Sequence, residues 1–96
     1  MRRQNDQSLG DLLKEWLEKS PIRNKIFQAR ITEIWKAEMG PTIQEYTSEI
    51  KVIRKTVYLT ISSASLRQEL AFSREKIRDM LNEKLGERYV EDVIVK

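Results

Sequence analysis

The sequence predicts an α+β domain: two N-terminal helices, a small three-stranded sheet, and a helical segment before the last strand. Three observations predict it. Apolar residues recur at helical spacing over roughly residues 9–40, alternate between 46 and 61, and return to helical spacing from residue 64. A last apolar stretch at 89–95 then reads as a strand. Runs of this kind fit helices packed on one face of a small sheet.

The first helix opens at residues 8–11, SLGD, which resembles a capping box with the shorter Asp in place of Glu or Gln. Leu9, Leu12, Leu13, Trp16 and Leu17 then share one helical face. Ser20 and Pro21 stop that helix and start another, serine as the cap and proline at the first helical position. In the second helix Phe27, Ile31, Ile34 and Trp35 form a stripe, and Gly40 with Pro41 is expected to end it.

In the alternating region Tyr46, Ser48, Ile50 and Val52 fall on one face, and Val57, Leu59 and Ile61 on one face of the next strand. The link near Arg54 and Lys55 is short enough for a hairpin, although no Asn-Gly or Asp-Gly fixes its turn. The returning helical period runs through Leu66, Leu70, Ile77, Leu81 and Leu85, and Gly86 closes it. Trp16, Trp35, Phe27 and Phe72 sit at or near core spacing and are read as packing residues. Tyr58 faces away from Val57 and Leu59 and is the better candidate for stacking on a base.

Composition narrows the function. A chain of 96 residues buries one core and leaves little room for a deep cleft. No apolar run approaches the roughly 20 residues that span a bilayer, and the charged N-terminus does not read as a secretory signal. The absence of cysteine removes disulfides and fits a cytoplasmic protein. The absence of histidine removes an imidazole base, a His-activated serine and the usual Cys/His zinc site. The carboxylates are scattered among lysines and arginines as on a solvated face, and Gly10, Gly40 and Gly86 make no phosphate loop. The expectation is a protein that is not an enzyme, with no cofactor, metal site or small-molecule substrate.

The net charge of +3 is mild, so its distribution matters more than its size. Residues 1–30 hold seven bases against four acids and residues 47–58 three against one, while residues 31–46 hold one against three. A basic face follows from that regional bias. Residues 1–7 are expected to be a flexible basic N-terminus and residues 8–96 a single domain.

Arg67, Arg74 and Arg78 are the first candidates for phosphate contacts. On a continuous helix, at about 100° per residue, they fall within about 40° of each other beside the apolar stripe. The alternative is snorkelling, with the stems covering apolar surface and the heads in water. Lys51, Arg54 and Lys55 cluster at the hairpin, as a phosphate site or as charges that guard a sheet edge. Arg2 and Arg3 are either a short arm reaching for phosphates or an ordinary basic start.

Four stretches resemble the DciA family of bacterial replicative-helicase operators: QSLGDLL at 7–13, IWKAEMGP at 34–41, YT at 46–47 and LTISSASLRQEL at 59–70. NEKLG at 82–86 and VEDVIV at 90–95 continue the likeness, which covers nearly the whole chain. The resemblance implies a fold similar to a K-homology domain, binding of single- or double-stranded DNA, and loading or regulation of the replicative DNA helicase. Longer members add a disordered tail; a short form ending at Lys96 is expected to meet the helicase through its folded domain. K-homology domains clamp the nucleic-acid backbone with a Gly-x-x-Gly joint between two helices. The matching joint here, AFSRE at 71–75, has no glycine, which leaves side-chain contacts from Arg67, Arg74 and Arg78. An RNA-binding or ribosome-associated role, and a protein-interaction module without nucleic acid, are the competing readings, since fold alone does not decide between them.

Overall fold

Ser8 caps the first helix as the sequence predicts: its Oγ accepts the Asp11 N–H at 3.1 Å. The structure is a computed structural model that describes residues 8–19 and 21–96. The expected basic segment 1–7, with Arg2 and Arg3, and the cap at Ser20 lie outside the described residues, as does the side chain of Leu17. The order is α1 (Leu9–Lys19), α2 (Pro21–Tyr46), β1 (Thr47–Ile53), β2 (Thr56–Ile61), α3 (Ala64–Phe72), α4 (Arg74–Leu85) and β3 (Asp92–Val95). The α+β expectation therefore holds.

The sheet has the order β1-β2-β3, with β1 and β2 antiparallel and β2 and β3 parallel. A parallel neighbour needs a crossover, which α3 and α4 supply. The helices cover one face of the sheet. Phe27, Ile31 and Trp35 of α2 and Leu70, Ile77, Leu81 and Leu85 of α3 and α4 meet Val52, Val57, Leu59, Ile61 and Val93 in one buried core. Ile34 and Leu66, the other members of the predicted stripes, pack against its rim.

Three sequence expectations need correction. Gly40 does break α2, at φ 82° and ψ 171°, a conformation that excludes residues with a Cβ. The helix then restarts at Pro41, because proline fits a first helical position, and Tyr46 ends a helix instead of starting a strand. Next, the β1–β2 register shifts between Thr47 and Glu49, which turns Thr47 inward in place of Ser48. Thr47 Oγ1 accepts Trp35 Nε1–H at 3.0 Å and donates to the Ile43 carbonyl at 2.7 Å. Finally, the continuous helical period after residue 64 is divided into two helices at Ser73, inside the joint at 71–75 that the family resemblance implied.

Gly86 closes α4 in the left-handed conformation (φ 81°) as expected. The last strand is shorter than the apolar stretch. Tyr89 and Val90 are buried before it begins. Asn82 fixes this approach, donating to the Val90 carbonyl at 2.9 Å and accepting the Val90 N–H at 2.8 Å.

Candidate nucleic-acid interface

The hairpin between β1 and β2 turns on two residues, Arg54 and Lys55, at φ 49° and 66°. Positive φ at both central positions is what a type I′ turn requires, and Asn-Gly fills it with least strain. A residue with a Cβ in that conformation costs on the order of 1 kcal/mol. Here two long cations occupy it, both exposed and in no ion pair among the described residues. Lys51, also exposed, stands on β1 opposite Tyr58. The turn is braced from the other side, where the Glu91 N–H donates to the Lys55 carbonyl at 2.8 Å.

The three helix arginines do not form the stripe that a continuous helix would give, because the chain breaks at Ser73 between Arg67 and the other two. Arg67 is half-buried, and its Nε donates to the Ile61 carbonyl at 3.3 Å, at the far end of β2 from the hairpin. That bond holds its Nε donor against the sheet. Arg78 contacts Asp79 at 3.1 Å, an exposed pair of the kind that contributes little and exchanges readily. Arg74 is exposed on the first turn of α4 and makes no ion pair among the described residues.

Arg88, which the sequence analysis did not single out, lines a shallow cleft with Arg78, Asn82, Val90 and Glu91. Through Glu91 that cleft adjoins the hairpin backbone. Glu91 thus links the cleft of Arg78 and Arg88 to the hairpin of Arg54 and Lys55, while Arg67 lies at the opposite end of β2. No local signal marks Arg88, since its neighbourhood is built by the return of the chain after α4.

Two aromatic residues expected in the core are outside it. Phe72, at the α3–α4 joint, is 86% exposed, and Trp16 is 60% exposed. Trp16 belongs to a face of α1 on which Leu9, Leu12 and Leu13 are also exposed, and Ile22 and Ile26 of α2 add to the exposed apolar surface. Helical spacing put these residues on one face correctly, but no element among the described residues covers that face.

The fold and these surfaces define a small α+β domain with a basic hairpin and, among the described residues, an exposed apolar face on α1. The family model described as "Dna[CI] antecedent, DciA" matches residues 8–95, so the chain belongs to the DciA family. No curated protein and no solved structure matches it. The family is associated with the replicative helicase and is one of helicase-loading adaptors rather than of enzymes. Among the described residues no helix is long and apolar enough to cross a membrane.

Proposed function

We propose that this protein is a bacterial, cytoplasmic DNA-binding adaptor that loads or regulates the replicative helicase without catalysing a reaction itself. One observation carries the reading: two exposed surfaces of opposite character stand on different elements. The hairpin end offers Lys51, Arg54 and Lys55 without carboxylate partners among the described residues, and α1 offers Leu9, Leu12, Leu13 and Trp16. An adaptor needs both, cations for phosphates and an apolar anchor for a protein. Two strained basic residues, in no ion pair among the described residues, where Asn-Gly would be more stable support a role for their charge.

The K-homology likeness belongs to this proposal. It is supported by the order β2-α3-α4-β3 with β2 and β3 parallel, and by a helix–helix joint at Phe72, Ser73 and Arg74. That joint supplies a basic and an aromatic side chain in place of a glycine clamp. DNA is placed before RNA here because the family is associated with the DNA-replication helicase.

The test combines salt-dependent competition among single-stranded DNA, duplex DNA and RNA with binding to purified replicative helicase. DNA binding that weakens with salt, together with helicase binding, is the expected result. A preference for RNA with no helicase binding would overturn the reading.

A further inference from the structure

The face of the sheet turned away from the helices carries an aromatic residue at its centre. The register sets Lys51 and Ile94 on either side of Tyr58, and Ile53 and Asp92 on either side of Thr56. Glu49 stands opposite Thr60. Lys96 lies beyond the end of β3, its Nζ 5.8 Å from the centre of the Tyr58 ring. Its backbone is fixed by bonds to Leu59 (2.8 Å) and Ile61 (2.7 Å). Tyr58, Thr56, Thr60 and Ile94 are half-buried by their neighbours in the sheet, and Ile53 and Lys51 are exposed.

We propose that this open face is a stacking platform for single-stranded nucleic acid, with one base laid against Tyr58 and its flanking phosphates held by Lys51 and Lys96. The inference rests on the nucleic-acid half of the function proposed above and extends it to a site that uses none of the arginines. The charges favour that occupant. Lys96 reaches the ring, Lys51 holds the register position across from Tyr58, and neither forms an ion pair among the described residues. Neither carboxylate of the face is in register with Tyr58: Asp92 stands opposite Thr56 and Glu49 opposite Thr60. A protein partner is served poorly, because Ile53, Tyr58 and Ile94 are the large apolar residues among charges and threonines. A base presents a π-face whatever its identity, so the platform accepts any sequence. A duplex keeps its bases stacked inside and cannot use it.

The experiment measures binding of the full chain to labelled oligothymidine and to a duplex of the same length, for wild type, Tyr58→Phe, Tyr58→Ala and Tyr58→Thr. Threonine suits a strand and serves as the second truncation if the alanine variant folds poorly. Both truncations should weaken oligothymidine binding by about tenfold or more and leave duplex binding within about twofold. Phenylalanine should bind oligothymidine like the wild type. The salt slope should not change in Tyr58→Ala, because stacking releases no counterions, whereas Lys51→Gln should lower it by roughly 0.7. Unchanged oligothymidine binding by a folded Tyr58 truncation overturns the platform while the hairpin site stands. Failure of the wild type to bind either nucleic acid overturns both.

Discussion

The phenol ring of Tyr89 lies flat on Phe27, with centroids 3.9 Å apart and planes 8° from parallel. Arg23 lies beside both rings, its guanidinium carbon 4.6 Å from the Phe27 centroid and 5.6 Å from that of Tyr89, while it pairs with Glu87. The Tyr89 hydroxyl donates to Asn24 Oδ1 at 2.9 Å, and Asn24 Nδ2 donates to the Val52 carbonyl at 2.8 Å. One contact thus ties α2, the segment before β3, and β1 together, which holds the hairpin against the helical layer.

That stack predicts an alkaline limit to stability. Burial pushes the Tyr89 hydroxyl above the usual phenol range; Arg23 pulls it down and Glu87 adds a smaller upward push. A group whose folded pKa is raised contributes stability that is complete below its unfolded value, about 10, and lost as pH rises through the folded value. Tyr89→Phe should cost about 1 kcal/mol at neutral pH, the net value of the lost hydrogen bond. It should also abolish Tyr89's share of the decline above about pH 10. Urea unfolding followed from neutral to alkaline pH reads both effects. Curves that stay parallel for the two proteins up the alkaline limb would exclude the linkage.

Trp35 anchors the core, as the helical stripe predicts, and it does so fully buried. Trp35→Ala should destabilise the fold by about 3–5 kcal/mol, the usual cost of truncating a large buried aromatic. Trp35→Phe should cost less but leave Thr47 without its Nε1–H donor, adding about 1 kcal/mol. Denaturant midpoints measure both. A Trp35→Ala protein with unchanged stability and lost binding would mean the residue serves a site instead.

The hairpin predicts a trade between stability and binding. Changing Arg54→Asn together with Lys55→Gly should relieve the left-handed strain and raise stability by roughly 1 kcal/mol or more. The same change should flatten the salt dependence of single-strand binding by roughly 1.4 in log K per log salt, about 0.7 for each lost phosphate contact. All sequences should weaken alike, since phosphates carry no sequence. Arg74→Gln with Arg78→Gln should flatten it less, because the neighbouring Asp79 carboxylate offsets part of the charge of Arg78. A stabilised hairpin variant with an unaltered slope would remove Arg54 and Lys55 from the interface.

The apolar face of α1 predicts a separable loss of function. Leu12→Glu with Trp16→Glu should change stability by no more than about 0.5 kcal/mol, since both positions are exposed. Nucleic-acid binding should persist, and binding of purified replicative helicase should fall, measured by gel filtration or calorimetry. Full helicase binding by this variant would move the contact to another surface.

The sequence by itself determined the local features, because each depends on one residue's chemistry or on simple periodicity. The Ser8 cap, the left-handed Gly86, the break at Gly40 and the inward Val57, Leu59 and Ile61 are of this kind. Ionic type was also legible, so Lys51, Arg54 and Lys55 could be grouped at the hairpin before their conformations were known. Only the tertiary structure decided what covers each face and what each charge meets. Periodicity put Trp16 among the leucines of one helical face but carries no information on whether another element packs against it. The inward turn of Thr47 depends on a shifted strand register, and the split of Arg67 from Arg74 and Arg78 on a break at Ser73 that no glycine or proline announces. The placing of Arg88 beside Arg78, and of Lys96 over Tyr58, arises when distant segments return to the sheet, where contact energies outweigh anything the neighbouring residues prescribe.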